Sequence, residues 1–147
     1  MSKRRKLTQR SQLISEDFVK RSIINWLTCN KWGRNLRFGG LRDHGVDIRV
    51  QHSDYGVYYL IETKGESTIR QGQEVAFVYS LGQIITRMNV PKGKYKYALG
   101  LPDSSAKIAI RRIPWQVAKK LSLYVLSVNA AGKVKQYGWK DIMNLSK

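Results

Sequence analysis

Two acidic residues and a lysine lie on the polar sides of two neighbouring predicted strands. In the first strand, apolar residues at every second position from Val46 leave Asp47 on the opposite face. In the second strand, Glu62 and Lys64 are two residues apart and therefore point the same way. If the strands form a hairpin around Asp54-Tyr55, Asp47 faces Glu62, and side chains opposed in this way have β-carbons only about 4.5–5.5 Å apart. We therefore predict a close pair of carboxylates with a lysine beside it.

A divalent cation would remove the repulsion between these two carboxylates. Mg²⁺ prefers oxygen ligands and keeps coordination positions for water and a phosphate oxygen. The metal would polarise the phosphoryl oxygen and lower the pKa of its bound water, while Lys64 could steady the nucleophile or the developing charge. This is chemistry for phosphodiester hydrolysis. The alternative is an exposed, salt-bridged strand face. The apolar strand that precedes Glu62, and the placement of acids in a strongly basic chain, argue against that alternative.

The charge of the chain indicates a polyanionic partner. There are 27 Lys and Arg residues against 10 Asp and Glu, which gives a net charge of +17. Nucleic acid is the commonest such partner, because neutralised phosphates release condensed counterions, and an anionic membrane surface is the competing explanation. No apolar run approaches the roughly 18 to 20 residues of a spanning helix, and the N-terminus lacks the pattern of a signal peptide. We therefore expect a soluble cytoplasmic protein that binds DNA and no membrane. Cys29 is the only cysteine, so the sequence excludes an intrachain disulfide and a cysteine zinc cluster, and we expect Cys29 to be buried.

Periodicity predicts the elements that must position the acids and the lysine. Ser15 can cap a first helix that ends near Asn30, and Pro114 must separate two short helices late in the chain. The other predictions are strands at 35–41, 46–51, 57–64, 95–101, 121–128 and 134–137 and a central helix at 73–88. We therefore expect an α/β fold, a mixed β-sheet flanked by helices in the order α-β-β-β-α-β-α-β. Residues 1–12 would form a basic flexible arm, and residues 13–147 a single domain.

Two short motifs resemble those of a known nuclease family. Gly45-Val46-Asp47-Ile48 is similar to the first acidic motif of the PD-(D/E)XK superfamily of restriction-endonuclease-like nucleases, and Ile61-Glu62-Thr63-Lys64 is similar to the second. The superfamily includes Holliday-junction resolvases and many restriction enzymes. Val46 stands here in place of its proline, and the resemblance covers residues 15–128 in the order of elements.

The resemblance implies a restriction-endonuclease-like sheet and DNA cleavage that leaves a 5′-phosphate. It also implies Mg²⁺ as the cofactor, with Mn²⁺ as a substitute. The implied metal ligands are Asp47, Glu62 and the backbone carbonyl of Thr63.

Two further residues gain a predicted catalytic role through this resemblance. Glu16 lies on the apolar stripe of the first helix, where it either complements the helix dipole or, as in many family members, reaches the metal or its water. Gln83 corresponds to a glutamine that some family members carry near the active site, although Arg87 stands where a tyrosine often follows. The alternative for Gln83 is a solvated position, because the predicted core face of its helix lies opposite. That core face consists of Phe77, Val78, Leu81, Ile84, Ile85 and Met88.

The remaining candidates concern DNA and proton transfer. His44 and His52 are isolated, and His44 is the better candidate for a metal or general-base role because it is close to Asp47. Basic residues along the chain are candidates for phosphate contacts. They are Lys3, Arg4, Arg5, Lys6, Lys20, Arg37, Arg42, Arg49, Arg70 and Arg87.

Three functions compete at this point. The first is a Mg²⁺-dependent DNA endonuclease, whose catalytic residues would be Asp47, Glu62, Lys64, Glu16 and Gln83. The second is a non-catalytic DNA-binding module of the same fold. A structural or partner-binding protein would leave the charge and the paired acids unexplained. A nuclease of this size needs either a homodimer or structure-specific binding to cut two strands, and we favour the homodimer.

Overall fold

The computed structural model describes residues 13–38, 46–66, 70–88 and 94–146, except for the side chain of Arg70. The predicted basic arm, and with it Lys3, Arg4, Arg5 and Lys6, lies outside the described residues. So do Arg42 and His44, which precede the first acidic motif.

The described chain forms a six-stranded mixed sheet with helices on both faces. The sheet order follows the sequence, β1-β2-β3-β4-β5-β6, with parallel pairing of β3 with β4 and of β4 with β5 and antiparallel pairing elsewhere. The predicted α/β class is therefore confirmed. The elements are α1 Glu16–Cys29, β1 Trp32–Phe38, β2 Ile48–His52, β3 Tyr58–Thr63, α2 Arg70–Thr86, β4 Tyr95–Pro102, α3 Asp103–Arg112, α4 Trp115–Leu121, β5 Leu123–Val128, β6 Val134–Tyr137 and α5 Trp139–Leu145.

Helix α1 begins where its capping residue predicts. The side chain of Ser15 accepts a hydrogen bond from the Phe18 amide at 3.1 Å, and Glu16 and Asp17 occupy the first turn, where negative charge is favourable. One stripe of the helix then packs onto the sheet. Its fully buried members are Val19, Ile23 and Leu27.

The alternation of side chains along β3 divides the core into two layers. Tyr59 and Ile61 belong to the layer under α1, whereas Leu60 belongs to the layer under α2 and α3. Glu62 follows Leu60 at an interval of two, so it points to the α2 side. Consecutive residues of β3 therefore reach opposite sides of the sheet at the candidate site.

The buried face of helix α2 agrees in part with the sequence prediction. Of the predicted core face, Phe77 and Ile84 are buried and Leu81 and Met88 pack against the core. Val78 and Ile85, which we also predicted to be core, are 52% and 46% exposed, and the helix begins at Arg70, earlier than expected. Ser80 is buried instead, on the face that the pattern left for Gln83. Exposed apolar residues flank the buried face of the helix, so periodicity alone could not fix the position of that face.

Two further expectations were wrong. Cys29 is exposed, because it is the last residue of α1 and lies beyond the buried stripe. Helix α5 was not predicted; it begins after Gly138, whose amide donates to Asp141 Oδ2 at 2.8 Å, and Trp139 packs against Trp115. Among the described residues, no helix is both long and apolar enough to span a bilayer.

Candidate metal and nucleic-acid site

The β2–β3 hairpin has the register that the sequence predicted. Ile48 pairs with Ile61 and Arg49 with Leu60, so the next position outward brings Asp47 beside Glu62. Asp47 lies one residue before β2, and its carboxylate is held from β3. Its Oδ2 accepts hydrogen bonds from the Thr63 amide at 2.8 Å and from the Thr63 hydroxyl at 3.2 Å. These two donors fix the orientation of the first acid.

The second acid is buried beside the first. Glu62 is only 3% exposed and shares a side-chain hydrogen bond with Asp47. Burial, and after it the hydrogen bond with Asp47 and the charge of Asp47, together raise the pKa of Glu62 to about 8 against the opposing charges of Arg87 and Lys64. Without a cation, the pair therefore holds a proton at neutral pH.

One carboxylate oxygen of Glu62 has no hydrogen bond in the described part of the chain. Oε1 is buried and has no hydrogen-bond partner among the described residues, and Arg87 Nε lies 3.8 Å away as an ion pair. A buried carboxylate oxygen without a hydrogen bond is costly, because its hydration has been lost. An oxygen in this state is a suitable ligand for a cation.

The start of α1 is fixed to the end of β3. Glu66 donates its amide to the Ile14 carbonyl at 2.7 Å, and its side chain accepts from the Ile14 amide at 3.0 Å. A Cβ on Gly65 would lie 2.6 Å from the Glu16 amide nitrogen, so only glycine permits this approach. As a result, Glu16 Oε1 lies 3.5 Å from the Thr63 hydroxyl, separated from Asp47 by that one group.

Lys64 follows directly after β3 and is half-buried. Its amide donates to the Gly100 carbonyl at 3.0 Å, which extends the β3–β4 ladder by one residue. Its Nζ lies 4.9 Å from the centre of the Tyr79 ring on α2, a distance at which a cation is attracted to the face of an aromatic ring. The ammonium is thus held between the strand end and α2.

Helix α2 and the residue that directly follows it contribute two polar side chains. Arg87 pairs with Glu62, and Gln83, four residues earlier, lies on the same side of the helix and is half-buried with its Oε1 buried and without a hydrogen bond. The solvated alternative for Gln83 is therefore not what the structure has. Beyond these residues, α2 exposes an apolar surface and a groove of about 720 Å³. Its apolar members are Val75, Val78 and Tyr79.

The other described candidates are a histidine with a structural role and two half-buried basic residues on different elements. His52 accepts a hydrogen bond from the Asp54 amide at 3.1 Å and packs edge-on against Trp32, so it shapes the β2–β3 turn. Lys20 is half-buried on α1, and Arg49 is half-buried on the Glu62 face of β2. In the part of the chain that the structure describes, no three His, Cys, Asp or Glu side chains form a metal-ligating group.

Sequence reasoning missed three features of the site. The Thr63 hydroxyl bridges two acids, Gly65 permits the close approach of α1, and Tyr79 contacts Lys64. The glycine directly after the second motif was the only visible indication among them. The other two depend on which elements meet in space.

Comparisons with known proteins do not assign the chain to a family. No protein-family model matches the chain, and neither curated proteins nor solved structures show a significant similarity to it.

Proposed function

We propose that the protein is a Mg²⁺-dependent DNA endonuclease with a restriction-endonuclease-like fold. The observation that supports it best is the buried Glu62 carboxylate, hydrogen-bonded to Asp47 and carrying a second oxygen without a hydrogen bond. Two ionised acids in such a position destabilise the fold, so that the pair either retains a proton or binds a cation. The net charge of +17 supports a polyanionic substrate around it.

The donor set fits magnesium. Mg²⁺ is bound by hard oxygen ligands, commonly one or two carboxylates together with substrate phosphate and water. Thr63 engages one oxygen of Asp47, and loss of the proton that Asp47 shares with Glu62 would leave the other oxygen for a metal. Glu62 Oε1 is free of hydrogen bonds within the described chain. The backbone carbonyl of Thr63 is the third proposed ligand. When bound, the cation would polarise the phosphoryl oxygen and make its water more acidic.

Each residue of the site then has a distinct proposed role. Thr63 orients Asp47, and the Tyr79 ring restrains the Lys64 ammonium, which would stabilise the attacking oxygen or the charge that develops on the phosphate. Glu16, which is linked to the acid pair through Thr63, would position a water. Gln83 would donate its amide N–H₂ to the attacking water or to a phosphate oxygen.

The proposed reaction is hydrolysis. The water oxygen bonds to phosphorus, the bond from phosphorus to the 3′ oxygen breaks, and that oxygen takes up a proton. The products are a 5′-phosphate and a 3′-hydroxyl.

One observation favours a second candidate, the non-catalytic DNA-binding module. Arg87 lies 3.8 Å from Glu62 and already supplies a positive charge to the acid pair. If that ion pair replaced a metal permanently, the site would be a structural one. The two functions differ in whether Mg²⁺ binds to the acids and whether DNA is cut.

The discriminating experiment is cleavage of plasmid, linear duplex and four-way junction DNA with Mg²⁺, Mn²⁺ or EDTA. We expect metal-dependent cutting that is lost in Asp47→Ala and Glu62→Ala and kept in Asp54→Ala, a matched control on the exposed β2–β3 turn. If the wild type binds DNA but cuts none of the substrates, the binding module is correct. Cutting that survives both acid substitutions would show that this site is not the active one.

We further propose that the nuclease acts as a homodimer, because two strands of a duplex require two acid pairs. The exposed apolar surface of α2 supports this proposal, since contiguous apolar surface commonly marks an interface.

A further inference from the structure

Two arginines face each other across strands β1 and β2, close to the acid pair. Arg37 pairs directly with Arg49, and both side chains therefore project on the same face of the sheet. Like charges in such a pair destabilise a sheet. Within the described residues, neither arginine forms an ion pair with a carboxylate that would compensate.

Two register shifts in β1 create this pairing. One lies between Trp32, which pairs with His52, and Arg34, which pairs with Gln51, and the other lies between Arg34 and Arg37. In a ladder that ran regularly from the Trp32–His52 pair, Asn35 and not Arg37 would lie opposite Arg49. Because one shift reverses the face and the second restores it, Leu36 packs with Trp32 in the apolar layer under α1 and Arg37 projects on the other face. The irregularity of β1 thus directs a second arginine toward the first.

The neighbouring residues hold the pair in place. Asn35, between Arg34 and Arg37, has a positive φ of 52° and donates its side chain to Gln51 Oε1 at 2.9 Å. The Arg49 guanidinium lies 4.8 Å from the centre of the Tyr58 ring, which is itself stacked on Tyr95 at 5.6 Å. These contacts orient the planar guanidinium and leave its N–H donors available. Asn35, Arg37, Arg49 and Tyr58 line a polar pocket of about 240 Å³.

We propose that Arg37 and Arg49 form a phosphate-binding subsite for the backbone phosphate next to the one that the acid pair would hold. Arg49 pairs with Leu60, two residues before Glu62 on the same face, so the arginine pair and the acid pair are separated by about 7 Å along the strands. That separation is comparable to the spacing of neighbouring phosphates in one DNA strand. Guanidinium groups bind phosphate through paired N–H donors, and a shared phosphate would neutralise their mutual repulsion. This subsite rests on the proposed nuclease function, because the acid pair defines its position along the DNA.

The test is DNA binding by the full chain in EDTA, so that no cleavage occurs, measured by fluorescence anisotropy over a series of salt concentrations. Duplex and four-way junction DNA are compared for wild type, Arg37→Ala, Arg49→Ala and the double variant. Arg21→Ala is the matched control, because it removes one positive charge from the exposed side of α1, where Arg21 pairs with Asp17. Arg49→Lys keeps the charge but loses the planar fork.

If one phosphate is shared, each single substitution should reduce the slope of log affinity against log salt by about 0.9, and the double variant should lose no more than either single one. We expect about a tenfold loss of affinity for each at moderate salt, an unchanged slope in Arg21→Ala, and a kept slope with weaker binding in Arg49→Lys. Thermal unfolding of free Arg37→Ala should be unchanged or higher, since a repulsion is removed.

Slopes that equal the wild-type slope in both single variants would overturn the proposal. So would losses that add to about 1.8 in the double variant, because they would indicate two separate phosphates. A failure of the nuclease proposal can be distinguished from a failure of the subsite. If the protein is not a nuclease, wild type does not cut DNA with Mg²⁺. The salt dependence of binding in EDTA still tests whether Arg37 and Arg49 share a phosphate.

Discussion

Without a metal, the protein should lose stability as the pH rises, and Glu62 should be the cause. Burial and the neighbouring Asp47 raise the pKa of Glu62 from about 4.5 to about 8 in the folded chain. Between these two values the folded chain keeps a proton that the unfolded chain has released. Because the unfolded state then binds fewer protons, the free energy of unfolding must fall with increasing pH across this window.

The expected magnitude follows from this one proton. A single proton retained on folding changes the free energy of unfolding by up to about 1.4 kcal/mol per pH unit. Glu62 is 3% exposed, so solvent screens little of the effect, although Arg87 at 3.8 Å reduces it. Glu62→Gln removes the titrating group and keeps the shape of the side chain. The variant should therefore gain stability relative to wild type as the pH rises from about 5 to about 8.

Urea unfolding in EDTA at several pH values, for wild type and Glu62→Gln, measures this difference and cancels the contributions of other titrating groups. With saturating Mg²⁺, the free energy of unfolding of the wild type should instead rise with pH, since a bound cation favours the ionised carboxylate. Glu62→Gln should show no such reversal. A difference between the two proteins that does not change with pH would refute the reasoning. It would mean that Arg87 keeps Glu62 ionised in the folded protein.

Four further predictions follow from the site and its surroundings. Mg²⁺ or Mn²⁺ should raise the midpoint of thermal unfolding of wild type, and less so for Asp47→Ala, with Asp54→Ala behaving as wild type; equal rises in all three would remove the metal site. Lys64→Ala should lower single-turnover cleavage about a hundredfold or more while still shifting DNA in a gel with Ca²⁺, and Lys64→Arg should rescue poorly; wild-type cutting by Lys64→Ala would show that this lysine is not catalytic. Deletion of residues 1–12 should make the salt dependence of DNA binding shallower, since five basic residues are removed, and an unchanged slope would show that this segment makes no phosphate contacts. Val78→Asp should shift sedimentation toward the monomer with little change in unfolding of the monomer, because Val78 is 52% exposed; an unchanged mass distribution would exclude this surface of α2 as the interface.

The hairpin that carries the acids was predictable from the sequence. Apolar residues at an interval of two place Ile48 and Val50 on the buried face, and the turn fixes which residues of β2 and β3 are opposed. The proximity of Asp47 to Glu62 follows from these two constraints alone. Helix α1 was predictable for a similar reason, because its cap and its buried stripe are local features.

Other parts of the site depend on contacts between elements that are distant in sequence. The core face of α2 was predictable at Phe77 and Ile84, but its exact rotation was not, because exposed apolar residues flank that face. This rotation places Arg87 beside Glu62. The Thr63 hydroxyl meets Glu16 only because Gly65 lets α1 approach the strand end. The register shifts in β1 leave no mark in the hydrophobic pattern, so regular pairing would have placed Arg37 away from Arg49 although on the same face of the sheet.

The two like-charge pairs on this face of the sheet can be explained together. Asp47 with Glu62 and Arg37 with Arg49 each bring groups of one kind close together, so that without a ligand the acids must retain a proton and the arginines repel each other. A chain that only had to fold would gain by exchanging one acid for one arginine, so that opposite charges faced each other across the strands. Keeping both acids in one pair and both arginines in the other is favourable if the ligand presents a cation to the acids and a phosphate to the arginines. A DNA strand carrying a divalent metal at the phosphate to be cut is such a ligand, since the metal would take the place of the proton at the acids and the next phosphate would neutralise the arginines.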